Sequence, residues 1–442
     1  MSILLVFLVF AAAMAASLAL DITMLAPLGL GLILFSVMAL RGGTPLRQLL
    51  RYMAGSLKDS FIVIRILLII GCLIGAWRQS GTIACFVSFG VTHMPAGLFL
   101  PAAFLLAAAM SYAIGTSFGV TATAGVILIS IARAAGVDPV LTAGAILSGV
   151  YVGDRGSPAS SSANLVSVLT RTDMRRNIRS MLKSSLPAFL LCLTAYALLS
   201  LRTPVGQISR EIPGLLAEEF DLSLLCLIPA AVMIILPFAG VKIRIAMLIS
   251  LVSALLLSLL LQKAPAGECL RCLILGYTAK NAALSGMLSG GGLVSMLEVC
   301  GILLLSGTYG GIFRGTGMLS GMGKRLQNAA GRIGRYPVML LLSLGICSLF
   351  CNQTIGAIMQ SQLSGPLYGE DEEERYAKMA DIEDSVILAA GLVPWCIANS
   401  VPLGMLGADA RSLPFAFYLW MVPLCRLAAG LIRKKRKGVK KE

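Results

Sequence analysis

The sequence predicts an all-α polytopic membrane protein built from two inverted-topology repeats whose helices are discontinuous at the membrane midplane. Three observations carry that prediction. The 442 residues are 57% hydrophobic and only 13% charged, with a mean hydropathy of +0.87, more apolar than a water-soluble core requires. Sparse marks recur at one offset: Pro101 and Pro337 stand 236 positions apart, as do Pro158 and Pro394. At that offset Gly75, Arg78 and Gly81 of IGAWRQSGTI fall on Gly311, Arg314 and Gly317 of GGIFRGTGML. Third, the basic residues of the two copies lie on opposite loops.

The apolar runs come in order at 3–20, 24–40, 60–77, 97–114, 120–134, 182–201, 222–239, 243–262, 293–312, 337–351 and 413–432. Several approach the roughly 17 to 25 residues that cross a bilayer, and the lipid bilayer is the chain's first expected partner. The first run ends in AAAMAAS but lacks a basic n-region and is followed at once by a second run, so it reads as a retained helix and not a signal peptide. Residues 1–201 form the first transmembrane repeat, 202–221 a polar linker with Pro204 and Pro213, 222–432 the second, inverted repeat and 433–442 a basic tail.

Charge sets the orientation. Arg41, Arg47, Arg51 and Lys58, and later Arg171, Arg175, Arg176, Arg179 and Lys183, mark cytoplasmic loops, whereas 79–97 carries no Lys or Arg and reads as external. In the second copy the counterpart of 79–97 holds Lys324, Arg325 and Arg332, with Arg335 two residues beyond it, and the counterpart of 171–183 begins with the sparse GADARSL. Exchange of the bias is what insertion in opposite orientations leaves. It puts the tail RKKRKGVKK in the cytoplasm. The net charge of +15 is thus a topology signal, and nucleic acid is not an expected partner.

Eleven cysteines are scattered, mostly in apolar runs, and suggest no disulfide framework. Cys269 and Cys272 form a lone CxxC with no second ligand pair, and His93, the single histidine, lies in an uncharged stretch resembling a loop. The stretch 369–384, GEDEEERYAKMADIED, has charges of both signs at helical spacing and reads as a solvated cytoplasmic helix or loop.

Chemistry is expected where apolar runs are interrupted. GTSFG at 115–119 and GDRGSPASSSAN at 153–164 do not continue a lipid-facing helix; Gly115, Gly153 and Pro158 free backbone groups that must line an enclosed cavity or bind something. Thr116, Ser117, Ser157, Ser160, Ser161, Ser162 and Asn164 cluster beside them. Such oxygen-rich, histidine-poor surroundings suit a hard cation such as sodium, with Thr116, Ser157 and Asn164 as candidate ligands. Close helix packing is the plainer role for the same small residues. The second copy answers with Asn352, Gln353 and Thr354 in CNQT, and with Pro394, Asn399 and Ser400 in LVPWCIANSVP. For proton coupling a carboxylate must titrate in or near the cavity. Asp154 leads, although the adjacent Arg155 offers a permanent structural pair as the alternative; Glu383, Asp384 and the intramembrane Glu298 follow.

The string GAILSGVYVGDRGSPASSSANL, with GAWRQSGTI and FLPAAFLLAAAMSYAIGTSFG upstream and NAALSGMLSGGGLVSML, CNQTIGAIM and DIEDSVILAAGLVPWCIANSVPLGMLG downstream, resembles the NhaC-type sodium/proton antiporters of the wider ion transporter superfamily. The resemblance runs from about residue 60 to 425. It implies a polytopic carrier of the cell inner (plasma) membrane with inverted repeats and alternating access, a homodimer, and relatives that exchange sodium and protons, malate and lactate, or amino acids. Residues matching the family's pattern are Gly115, Thr116 and Ser117, then Gly153, Asp154, Ser157, Pro158, Ser160 and Asn164, then Gln353, and finally Glu383, Asp384, Ser385, Pro394 and Trp395. Two departures stand out: Ser161 and Asn352 replace acids usual in the family. Fewer fixed charges favour a substrate that brings its own carboxylate.

The expected function is therefore secondary active exchange of sodium with protons, needing no cofactor beyond the ions themselves. A sodium-coupled carrier or antiporter of a small organic anion or amino acid is the alternative, and a degenerate membrane scaffold the third. No nucleophile with a base, metal cluster or nucleotide loop suggests an enzyme.

Overall fold

The computed structural model describes residues 3–20, 22–93, 96–202, 212–318 and 322–439. They are helical throughout apart from loops and one isolated antiparallel bridge between Tyr277 and Gly290. The first half holds α1 (Ile3–Ala19), α2 (Leu25–Arg41), the long α3 (Leu46–Gln79), α4 (Thr82–His93), α5 (Phe99–Ile114), α6 (Ser117–Val120), α7 (Val126–Ala134), α8 (Pro139–Gly156), α9 (Ser161–Thr170) and α10 (Met174–Arg202). Then come α11 (Ile212–Glu219), α12 (Ile228–Phe238), α13 (Ile243–Leu260), α14 (Ala266–Leu275), α15 (Ala282–Leu288), α16 (Leu297–Thr316), α17 (Met322–Ile333), α18 (Arg335–Phe350), α19 (Gln353–Leu363), α20 (Glu372–Glu383), α21 (Val386–Ala389), α22 (Ile397–Leu406) and α23 (Phe417–Val439). Among the described residues Ser117–Ala134, Met174–Arg202, Ile243–Leu260 and Val294–Thr316 are long and apolar enough to cross a membrane, making six spans if each of two bent pairs counts as one. Other expected runs appear as shorter apolar helices: 3–20 and 24–40 as the undivided 17-residue α1 and α2, 97–114 and 337–351 as α5 and α18, which stop at breaks.

The 236-residue offset reappears in the backbone. Helices α5 and α18 are each 16 residues long and start and stop in register. Gly115 (φ 75°, ψ 23°) ends the first and Cys351 (φ 52°, ψ 20°) the second, both left-handed. The next residues, Thr116 (φ −145°, ψ 127°) and Asn352 (φ −143°, ψ 123°), are extended. Ten-residue α9 and α22 match equally, entered from extended Ser160 and Cys396 and closed by left-handed Arg171 and Gly407. Pro187 and Pro423, again one offset apart, lie inside α10 and α23.

Small residues explain the tightest packing. Helices α5 and α8 run parallel, with Gly149 against Ala107 and Phe104 and Gly153 against the backbone of Ser111, where a Cβ would not fit. Gly153 therefore serves helix contact and not a break, contrary to the sequence reading: α8 continues to Gly156, and the chain leaves helix at Ser157. Helix α8 begins with Asp138, whose carboxylate accepts from the Val140 amide at 2.8 Å, followed by Pro139. Helix α1 packs through Phe7 and Phe10 on Phe35, Tyr309 and Phe313 in a satellite core.

Within the expected linker 202–221, residues 203–211 lie outside the described residues, while 212–219 form α11. Its Glu219 accepts from the Lys280 and Asn281 amides at 2.8 and 3.2 Å, ahead of α15. The expected tail 433–442 continues α23 as far as Val439; 440–442 fall outside the described residues. His93 is the last residue of α4 and not part of a loop.

Candidate functional site

Four interruptions converge between the halves. In the first half Gly115 abuts Ala159, so the α5–α6 break touches the α8–α9 break. In the second, the Ile397 amide donates to the Cys351 carbonyl at 2.9 Å, joining the α18–α19 break to the start of α22. Tyr151 ties the pairs together: its hydroxyl donates to the Ala398 carbonyl at 2.8 Å, and its ring fills the space beside Gly391.

Asp154 sits one turn beyond Tyr151, 5% exposed. Its Oδ2 accepts a 3.0 Å hydrogen bond from Nε2 of Gln353, which also donates to the Ile387 carbonyl at 3.1 Å. Gln353 begins α19, and Ser117, its counterpart one offset earlier, presents a backbone N–H to the same carboxylate from the start of α6. The buried Ser162 hydroxyl also faces this carboxylate, while donating to the Asp154 carbonyl at 2.8 Å. An acid of the first half is thus held by an amide of the second.

Arg155 does not neutralise Asp154. Its guanidinium turns to Asp384, which also pairs with Arg426, and Arg426 in turn pairs with Asp381. Tyr368 donates to Asp381 at 2.6 Å, and Tyr336 to the Asp384 carbonyl at 2.8 Å. Arg155 completes its set with the Met181 carbonyl, Ser184 and Tyr418 at 3.2, 3.2 and 3.4 Å. This buried lattice joins α8, α10, α20 and α23, and makes Asp384 a structural counter-ion. Arg426 escaped sequence reasoning, although a lone guanidinium inside the run 413–432 was its signal.

Glu383 differs. It is 0% exposed, and neither carboxylate oxygen has a hydrogen-bond partner among the described residues. Arg155, Asp384 and Asp154 are its charged neighbours. A carboxyl in such a place is stable only when neutral or when something joins it. Asn399 Oδ1 and Ser400 Oγ are likewise buried without partners, while Asn399 Nδ2 reaches the Val393 carbonyl at 3.4 Å.

The other expected residues divide between site and scaffold. Ser157 donates to the Tyr112 carbonyl at 2.5 Å and accepts from the Ala159 amide at 3.1 Å. Asn164 donates to the carbonyls of Ser160 and Pro158 at 2.6 and 3.2 Å, so both close their own break. Ser160 and Asn352 are N-caps, accepting from Ala163 and Ile355 at 3.2 and 3.1 Å. Thr116 is half-buried at the first break, Pro394 half-buried between α21 and α22, and Ser161, Pro158 and Thr354 are exposed. Glu298 is not brought to the site: exposed in the first turn of α16, it accepts from Thr23 at 2.6 Å.

Sequence reasoning also missed a π-turn at Thr121–Gly125 between α6 and α7, where Thr121 and Thr123 donate back to the Ser117 and Gly119 carbonyls at 2.8 Å each. TATAG offers small and hydroxyl residues but no distinctive spacing. Two apolar cavities, of about 580 and 340 Å³, lie elsewhere and include neither Asp154 nor Glu383.

The chain matches the model of the Na+/H+ antiporter family over residues 1–165 and again over 149–432. It is 25% identical over 393 residues to the malate-2H(+)/Na(+)-lactate antiporter of Bacillus subtilis, covering 87% of this chain and 83% of that protein. The Na(+)/H(+) antiporter NhaC of the same organism is 23% identical over 418 residues, 92% of each chain. The arginine/ornithine antiporter ArcD of Halobacterium salinarum is 28% identical over 375 residues, 83% of this chain and 77% of that one. Matched along nearly its whole length, and carrying paired helix breaks around a buried acid, this multi-pass membrane chain belongs to the Na+/H+ antiporter family, a family of transporters and not of enzymes.

Proposed function

We propose that the protein exchanges sodium for protons by alternating access, with Asp154 as the coupling carboxylate. The observation that carries this is the buried Asp154 side chain, hydrogen-bonded by the Gln353 amide of the other half and left unpaired by its neighbouring arginine. A proton and a sodium ion compete for such a group, because a lone buried carboxylate needs one or the other. Thr116, Ser157 and Asn164 are the first-half residues proposed to complete the ion's shell, Ser157 and Asn164 on giving up the hydrogen bonds that close their own break, with the partner-free oxygens of Asn399 and Ser400 from the second half. Glu383 is a second proton-holding candidate.

The repeats are read as inverted, from the exchange of basic residues between their loops, with the C-terminus cytoplasmic and the inner membrane as location. A homodimer is expected from the family. A second reading, exchange of a small carboxylate or amino acid, is favoured by Ser161 and Asn352 standing where acids are usual, and by relatives named for malate, lactate, arginine and ornithine.

The test is reconstitution in liposomes, following lumenal pH on sodium addition with and without candidate organic solutes. Sodium-driven proton movement without solute is expected, and Asp154→Asn should abolish it. Unchanged exchange in that variant removes the role of Asp154; a strict solute requirement selects the second reading.

A further inference from the structure

Helix α17 sorts its residues. Leu326, Ala329 and Ile333 line the apolar cavity of about 580 Å³, an open groove whose other walls include Phe10 of α1, one face of α18, and Trp395. Arg325 and Arg332, two turns apart, flank Leu326 and Ile333, and Lys324 adjoins them. All three basic side chains are exposed, and none has a hydrogen bond or ion pair among the described residues.

The fold supplies its own control. The smaller cavity of about 340 Å³ is lined by Gly90, His93, Leu106 and Met110, which stand one 236-residue offset before Leu326, Ala329, Leu342 and Ile346 of the larger one. Its helix, α4, contains no Lys or Arg. Both copies thus form the groove, but only one has a cationic rim. The positive-inside bias accounts for basic residues in this copy and not the other; their place beside the groove's apolar lining is what makes them a rim.

Length identifies what fits. Along α18 the groove runs from Val338 to Leu349, about 16 Å at the helical rise, or about half of a hydrocarbon core of about 30 Å. One leaflet's acyl chain has that reach, and the basic stripe lies at the end where α18 begins. We propose that this groove binds an anionic phospholipid, one acyl chain between α1, α17 and α18 and its phosphate on Lys324, Arg325 and Arg332. The far end meets the second break: Ser348 and Leu349 line it one turn before Cys351, and Trp395, beside Pro394, donates from Nε1 to the Ser348 carbonyl at 2.8 Å. A bound chain therefore touches the hinge. The proposal requires the membrane setting but not the identity of the transported ion.

The experiment is thermal unfolding of the full chain in detergent, titrated with phosphatidylglycerol, with phosphatidylcholine of the same chains, or with inorganic phosphate. Phosphatidylglycerol should raise the midpoint and the other two should not. The triple variant K324Q/R325Q/R332Q should keep the lipid-free midpoint, having no partners to lose, yet need on the order of 100-fold more phosphatidylglycerol. Ala329→Trp, which fills the groove and keeps the charges, should also lose the response. Equal stabilisation by phosphatidylcholine, stabilisation by phosphate alone, or a wild-type response in either variant overturns the site. Transport need not be measured, so failure here is distinct from failure of the sodium/proton reading.

Discussion

Replacing Asp384 by asparagine removes one buried negative charge from between two guanidiniums. Arg426 keeps Asp381, and at 25% exposure it keeps some water. Arg155 is different: it is 1% exposed, and its remaining acceptors are the Met181 carbonyl, Ser184 and Tyr418, all neutral and at 3.2 Å or more. Its charge would have no hydrogen-bonded acid left, only the nearby Glu383, whose oxygens have no hydrogen-bond partner among the described residues. Breaking a buried pair in this way costs about 3–5 kcal/mol, chiefly through the partner left behind. Thermal unfolding of the detergent-solubilised chain should show a large drop in midpoint for Asp384→Asn. Asp154→Asn should show a much smaller drop, because an asparagine oxygen still accepts from Gln353 and no buried cation loses its partner. Removing both partners with an apolar pair, Arg155→Met with Asp384→Leu, should recover much of the loss. A wild-type midpoint for Asp384→Asn, or a double variant no better than the single one, would refute the assignment of Asp384 as structural counter-ion.

Glu383→Gln removes a titratable group that has no hydrogen-bond partner to lose; the midpoint should hold while the pH dependence of sodium-driven proton movement shifts. An unaltered pH profile excludes Glu383 from coupling. Gly115→Ala combines a left-handed residue (φ 75°) with a collision against the Ala159 backbone, and should lower stability by about 1–2 kcal/mol for the conformation plus about 1–3 for the overlap. Gly317→Ala, also left-handed at φ 63° but with no contact within 4 Å among the described residues, should lose only the first part, so equal effects in unfolding assays would sink the contact argument.

The repeat was legible because prolines, glycines and charges are sparse marks that survive when apolar residues interchange. It placed the interruptions in GTSFG at 115–119 and CNQT at 351–354, and the chain leaves helix at the first residue of each, Gly115 and Cys351; the left-handed turn at Cys351 had no sequence signal of its own. Gly153 misled because a glycine that lets helices touch reads the same, in one dimension, as a glycine that ends a helix. The partner of Arg155 was illegible for another reason: Asp384 lies 229 positions away, and the adjacent Asp154 was the only acid within local view. Glu298 shows the converse. An acid several residues into an apolar run suggests a membrane interior, but it lies in the exposed first turn of α16, where a carboxylate suits a helix N-terminus.

The matching dihedrals at the breaks have a consequence for how such a carrier diversifies. Gly115 and Cys351 differ, as do Thr116 and Asn352, and Ser117 and Gln353, yet the chain bends alike at both sites. The bend is a socket specified by main-chain shape, and the side chains it presents are exchangeable fittings. A lineage can then rewrite which oxygens or charges face the cargo one residue at a time, without rebuilding the frame. Chains alike along most of their length can in this way come to bear the names of a sodium/proton, a malate/lactate and an arginine/ornithine exchanger.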